Sequence, residues 1–223
     1  SSFGNTLDEF QKDNIPVKYK IYNTLDSYNK ITTIKSLALF LLQLPEVIDD
    51  SKPDVILISG DRGEQLMGAL ASIHMNIPVA HIQAGELSGH IDGVIRHSIT
   101  KLSTIHFSSN KDAYDRVIKL GEQPQNVFNV GAPQIDDMLD FNNLDFNIKS
   151  KYGLHEAKMF FLVVNHPVHE EENTSENICQ IMDAIFSLNE YENDELEILV
   201  VLPNSDSNTS EILSVYQEIK RNY

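Results

Sequence analysis

The sequence predicts an α/β fold built on a doubly wound, mostly parallel sheet. Three observations carry this. Short apolar, β-branched runs recur between amphipathic helical stretches. Those runs are apolar throughout rather than alternating, as strands buried on both faces of a parallel sheet are. The turns between strand and helix span only a few residues, with Gly or Asp at several strand ends.

The elements follow in order. From Tyr28 to Asp50, residues Ile31, Ile34, Leu37, Ala38, Leu41 and Leu42 recur at spacings of three and four, which predicts an amphipathic helix that Pro45 kinks or ends. Pro53 to Ser59 reads as a strand, and Gly60-Asp61-Arg62-Gly63-Glu64 turns into a helix from about Glu64 to Met75. Pro78 to Ile82 is the next strand. A helix over 92–102, a strand from Thr104 to Ser108, a helix from Lys111 to Leu120 and a strand from Val127 to Val130 continue the alternation.

The polar stretch Asn142 to Asn147 reads as a linker between a first domain over 1–140 and a second over 141–223. In the second, Met159 to Asn165 and Glu197 to Leu202 are strands, Ser175 to Leu188 is a helix, and a last helix starts near Ser210. Two strands make a thin sheet with open edges, so both domains are expected to be incomplete, the first lacking its opening strand. The chain starts without Met, which adds to the expectation of an internal fragment.

Composition narrows the function. With 33 acidic and 17 basic residues the net charge is −16, a field that repels phosphate backbones and anionic bilayers, so neither nucleic acid nor membrane is an expected partner. The lone Cys179 excludes a disulfide framework or a cysteine zinc cluster and fits a reducing, cytoplasmic setting. The longest apolar candidate, Leu37 to Leu44, is broken by Gln43 and followed by Pro45, so no membrane span is expected.

Ligands in sheets of this kind bind at the carboxyl ends of the strands, where the turns at Asp61, Glu86 and Gly131 would gather. Residues 60–106 hold the acids Asp61, Glu64, Glu86 and Asp92, the bases Arg62, Arg96 and Lys101, and five histidines, His74, His81, His90, His97 and His106. Plain structural roles exist for several: Asp61 as a helix N-cap, Arg62 and Glu64 as an exposed helix start, His81 as a hydrogen-bonded core residue. Pro167 splits His166 from His169 and no third ligand converges, so no metal is expected. The glycine spacing matches neither a dinucleotide nor a phosphate loop, and no serine elbow is present; no cofactor is expected. Paired carboxylates with Arg and His suit a small phosphorylated sugar, the Arg gripping phosphate and the carboxylates dividing acid and base work.

Pro53-Asp54-Val55-Ile56-Leu57-Ile58-Ser59-Gly60-Asp61-Arg62, followed after one residue by Glu64, resembles the hydrolysing UDP-N-acetylglucosamine 2-epimerases of bacterial sialic and legionaminic acid synthesis. So does the run from His81-Ile82-Gln83-Ala84-Gly85-Glu86 through Asp92, Arg96 and His97 to Leu102, and Gly121-Glu122, Val130-Gly131-Ala132-Pro133 and Asn165-His166-Pro167-Val168 continue the likeness in order. The resemblance implies two Rossmann-like domains as in the glycosyltransferase B type. It implies elimination of UDP from a UDP-2-acetamido sugar, then hydration of the glycal to a free manno sugar. By motif position it names Asp61, Glu86, Asp92, Arg96 and His97 for the sugar-side acid/base group, and Arg62, His166 and Asn204 for UDP. The implied partner is a nucleotide sugar, with room for a homo-oligomer. A B-type glycosyltransferase and a non-catalytic sugar-nucleotide-binding relative are the alternatives. Gln83 and Gly93 depart from residues common in relatives, Glu or His at the first and Asp at the second, which points to a different sugar, such as a 2,4-diacetamido-6-deoxy one, or to altered activity.

Overall fold

The structure is a computed structural model that describes residues 7–25, 30–140, 147–166, 173–203 and 209–222. They form two compact units, one between residues 5 and 143 and the other between 144 and 223.

The first unit opens with a short helix, α1 (Leu7–Lys12), and a long one, α2 (Lys30–Ser51). Strand and helix then alternate: β1 (Ile56–Ser59), α3 (Gly63–His74), β2 (Val79–Ile82), α4 (His90–Leu102), β3 (Ile105–Ser108), α5 (Lys111–Lys119) and β4 (Val127–Asn129), closed by α6 (Pro133–Asp140). All four strands are parallel and adjacent in chain order, β1-β2-β3-β4. Right-handed crossovers in that order put α3, α4 and α5 on one face of the sheet. The helix-facing row across the sheet is Ile58, His81, His106 and Val127, each paired with the next in register and each buried. Ile58 and Val79 pack with Ala69 of α3 and Ile99 of α4 to make the core on this side.

Three expectations change. Pro45 does not end α2, which runs six residues further to Ser51. Proline removes one helical hydrogen bond, but Phe40, Leu44 and Ile48, four residues apart along one side, keep the helix seated beside β1 and α3. By length and composition alone α2 could cross a membrane, which a search for an unbroken apolar run misses. Its inner side nevertheless lies close on α3, Leu37 reaching the space a side chain on Gly63 would fill. The strands are also shorter than the apolar runs that announce them, because pairing stops where the neighbouring strand stops.

The second unit holds α7 (Ile148–Tyr152), β5 (Met159–Val164), α8 (Thr174–Phe186), α9 (Asn189–Glu192), β6 (Leu196–Val201) and α10 (Thr209–Asn222). Asn147 caps α7, its side-chain oxygen accepting from the Ser150 amide at 3.1 Å. Strands β5 and β6 are parallel. Ile178 and Met182 of α8 meet Ile212 and Tyr216 of α10, and Ile198 and Val200 of β6 pack against that cluster. The predicted linker falls largely on 141–146, outside the described residues.

Candidate active site

Two chain reversals at the carboxyl edge of the first sheet, after β1 and after β2, build one polar cluster with helix α4. The strand β1 ends at Ser59, and Gly60 turns the chain so that Asp61 projects from the edge. Arg62 occupies the N-cap position of α3 with no side-chain cap, so Asp61 is released from the capping role the sequence allowed. Its carboxylate instead pairs with the Arg96 guanidinium of α4 and accepts from the Ser88 hydroxyl at 3.2 Å.

Arg96 organises the rest. It is 7% exposed, and a charge so buried needs partners. Besides Asp61 it donates through Nη1 to Glu86 Oε2 at 3.3 Å and to the Gln83 carbonyl at 3.1 Å, and through Nη2 to Ser88 Oγ at 3.2 Å. Two carboxylates thus share one guanidinium, with a serine that accepts from Arg96 and donates to Asp61. This arrangement holds two potential proton carriers side by side, balances part of their charge, and leaves both partly open to a ligand, Asp61 at 21% and Glu86 at 25% side-chain exposure.

The loop after β2 is fixed from the other side. Gly85 has φ +80°, and a side chain there would lie 2.3 Å from the Ala113 carbonyl and 2.6 Å from Val117, so only glycine lets α5 approach this closely. Arg116 of α5 donates to the Gly85 carbonyl at 2.6 Å, anchoring the peptide that carries Glu86. Gln83 adopts φ +64°, unusual for a residue with a side chain, and this aims its carbonyl at Arg96. Gly93 is tight for another reason: a Cβ would stand 2.6 Å from the Ser88 carbonyl. The aspartate common at that position in relatives would therefore require the 88 loop to shift.

The remaining sequence candidates fall as follows. His97, next to Arg96 on α4, is half-buried, and its Nδ1 is buried without a hydrogen-bond partner. Burial first, then the Arg116 and Arg96 guanidiniums, push its pKa below the ordinary histidine value, so it is a neutral imidazole near pH 7. Asp92 stands exposed in the first turn of α4 and is not one of the two carboxylates paired with Arg96. Arg62 is exposed at the start of α3. His166 is exposed just after β5 in the second unit, and Asn204 lies outside the described residues. Among the described residues no group of three or more His, Cys, Asp or Glu is placed to hold a metal ion.

Sequence reasoning missed Ser88, Arg116 and the Gln83 carbonyl. The spacing of Ser88 from Asp61 gives no hint that both reach Arg96. Nothing in the sequence marks Arg116, whose reach to Gly85 follows from the packing of α5.

Comparison with known proteins identifies the family and the fold. The family described as UDP-N-acetylglucosamine 2-epimerase matches residues 2–223. A Legionella pneumophila protein named UDP-N,N'-diacetylbacillosamine 2-epimerase (hydrolyzing) is 34% identical over 218 residues, 97% of this chain and 56% of its own length. The Campylobacter jejuni GDP/UDP-N,N'-diacetylbacillosamine 2-epimerase (hydrolyzing) is 32% identical over 221 residues, 96% of this chain and again 56% of its own. The chain therefore spans little more than half the length of these curated relatives. Among solved structures, the UDP-GlcNAc 2-epimerase of Neisseria meningitidis bound to UDP-GlcNAc superimposes with a TM-score of 0.77 at 18% identity, covering 96% of this chain and 59% of that one. That likeness bears out the expected α/β class of the glycosyltransferase B type.

Proposed function

The chain belongs to the UDP-N-acetylglucosamine 2-epimerase family, and from that premise we propose that the complete protein is a hydrolysing 2-epimerase. It converts a UDP-2-acetamido sugar and water to UDP and the free manno-configured sugar. The observation that carries this reading is the pairing of Asp61 and Glu86 on one buried Arg96.

The reaction needs two proton transfers at C2. In the first step a carboxylate removes the C2 proton, the C1–O bond to UDP breaks, and the electron pair becomes the C1–C2 double bond of a glycal. In the second, water adds its oxygen to C1 and gives up a proton to a carboxylate base, while an acid returns a proton to C2 on the opposite face, which inverts that centre. One carboxylate acting as base and another group acting as acid satisfy both steps. Asp61 and Glu86 supply the carboxylates, and Arg96 balances their charge as it shifts. His97, neutral near pH 7, is the further proton carrier. Asp92 is assigned to the same sugar-side group, and Arg62, His166 and Asn204 to UDP.

The two relatives described above are named for a diacetylbacillosamine nucleotide, which favours a 2,4-diacetamido-6-deoxy sugar and a place in nonulosonic acid synthesis. The Campylobacter name includes GDP as well as UDP, so the nucleotide is a second variable of the test. The complete protein should be incubated in deuterated water with UDP-GlcNAc, and with the UDP and GDP forms of the diacetamido sugar, and followed by proton NMR. The expected result is free nucleoside diphosphate and a manno sugar deuterated at C2, with no acceptor present. Intact donor in every tube, with UDP still bound, would replace this reading with a B-type glycosyltransferase or a binding protein.

A further inference from the structure

We propose that His81 is a positioning residue for this site, holding Asp61 and Arg96 in register from beneath; the inference rests on the epimerase reading above. His81 lies in the centre of β2 with no exposed surface, where an apolar residue would fill the row as well. Its two ring nitrogens are both engaged. Nε2 is 2.9 Å from the Gly60 carbonyl, and Nδ1 is 3.2 Å from Thr100 Oγ1.

The hydrogen bonds have one consistent direction. A carbonyl only accepts, so Nε2 carries the hydrogen and donates to Gly60. The neutral ring then offers a lone pair at Nδ1, and the Thr100 hydroxyl donates to it. Thr100 Oγ1 also donates to the Arg96 carbonyl at 2.9 Å, whose second lone pair is free beside the helix amide, so the one hydroxyl proton is shared between that carbonyl and the ring and Thr100 links His81 to the Arg96 peptide itself. Burial holds the ring neutral, moving its pKa down to about 4. The groups that act on it are Arg96 and His106, which oppose its charge, and the Gly60 carbonyl and Asp61, which favour it.

What distinguishes this from a satisfied core histidine is where the bonds end. Gly60 is the residue immediately before Asp61. Thr100 lies one helical turn after Arg96 on α4. One rigid ring therefore ties the turn that projects Asp61 to the helix that projects Arg96, and the ion pair closes above it. Without the ring, the Gly60 carbonyl and the Thr100 hydroxyl lose their partner in a dry interior, and the turn is free to move relative to α4.

The test uses the complete protein with three substitutions. His81→Leu keeps most of the volume and removes both bonds, His81→Gln keeps an N–H donor at the position of Nε2, and Thr100→Val removes only the hydroxyl. We expect His81→Leu to lower kcat for UDP release by about 10- to 100-fold with KM changed less than about threefold, because misplacement by about 1 Å costs rate rather than affinity. His81→Gln should recover most of the loss. Thr100→Val, the smallest change of the three, should show a smaller fall in kcat, and one larger than its loss of folded fraction at the assay temperature accounts for. A folded His81→Leu or Thr100→Val protein with wild-type kcat, or a loss matched by the folded fraction and not recovered by Gln, would overturn the proposal. Crystal structures of the same variants separate this inference from the functional one. If the wild-type protein releases no nucleotide, the epimerase reading fails, while parting of Asp61 and Arg96 beyond about 4 Å in Thr100→Val or His81→Leu still supports the strut. An intact pair there refutes it.

Discussion

A buried imidazole with both nitrogens bonded resists protonation, and His81 carries that cost into the stability of the whole first unit. Folded, it stays neutral down to about pH 4; unfolded, it takes a proton near its ordinary value of about 6.5. Between those values the unfolded chain binds more protons, so stability falls as the pH drops from about 6.5 and this loss is complete near pH 4. The size is on the order of 3 kcal/mol. His106, its register neighbour, is shifted the same way by burial, against the opposing pull of Glu122 at 3.3 Å. Urea unfolding at pH 7, 5.5 and 4.5 should show a falling midpoint for the wild type and a shallower fall for His81→Gln; parallel curves would mean the ring is not neutral when folded. The ingredients of this site are unevenly legible in the sequence. Asp61, Glu86 and Arg96 are legible because strand ends in a parallel sheet gather at one edge, so residues right after strands are natural candidates. His81 was legible as a core residue only, since its partners lie 21 and 19 positions away on other elements.

Among the elements, α5 does the least visible service. It is a short helix with Val117 inward and Arg116 reaching Gly85, and it sets how deep the Glu86 loop can sit. Gly85→Ala must therefore both occupy a positive φ and push against the Ala113 carbonyl, and should destabilise the first unit by about 2–5 kcal/mol. Gly89→Ala is the matched control, because Gly89 has open space around its Cβ position and an ordinary φ of −65°. Denaturant titration of the two variants checks the contrast, and equal midpoints would show that α5 can retreat at little cost. The alternation of strand and helix was readable from periodicity, but α6 and α7 were not, being short and polar with no clear repeat. Nor could periodicity reveal that α2 passes through Pro45, since the packing that compensates for the lost hydrogen bond lies on β1 and α3.

At the scale of the molecule, the described residues leave apolar surface facing outward. Leu57 on β1 is 62% exposed, Leu162 and Val164 on β5 are 54% and 53%, and Ile31, Ile34 and Leu42 on α2 exceed 65%. Surfaces of that kind are unstable in isolation. The purified 223-residue chain should bind an apolar dye strongly and self-associate at micromolar concentration, as light scattering would report; a monodisperse chain with no dye uptake would mean these faces are covered. The charge of −16 and the alternating pattern were plain in the sequence, whereas open faces are a property of packing and had to be seen. The strand order has one more consequence, and it concerns time rather than shape. Because β1, β2 and β3 each pair with the strand that follows in the chain, none of these four strands waits for a distant partner, and every loop to be closed among them is of similar, moderate length. The sheet can therefore be laid down in the order in which a ribosome delivers it, and the edge that bears Asp61, Glu86 and Arg96 is complete once α5 has docked on the Gly85 loop.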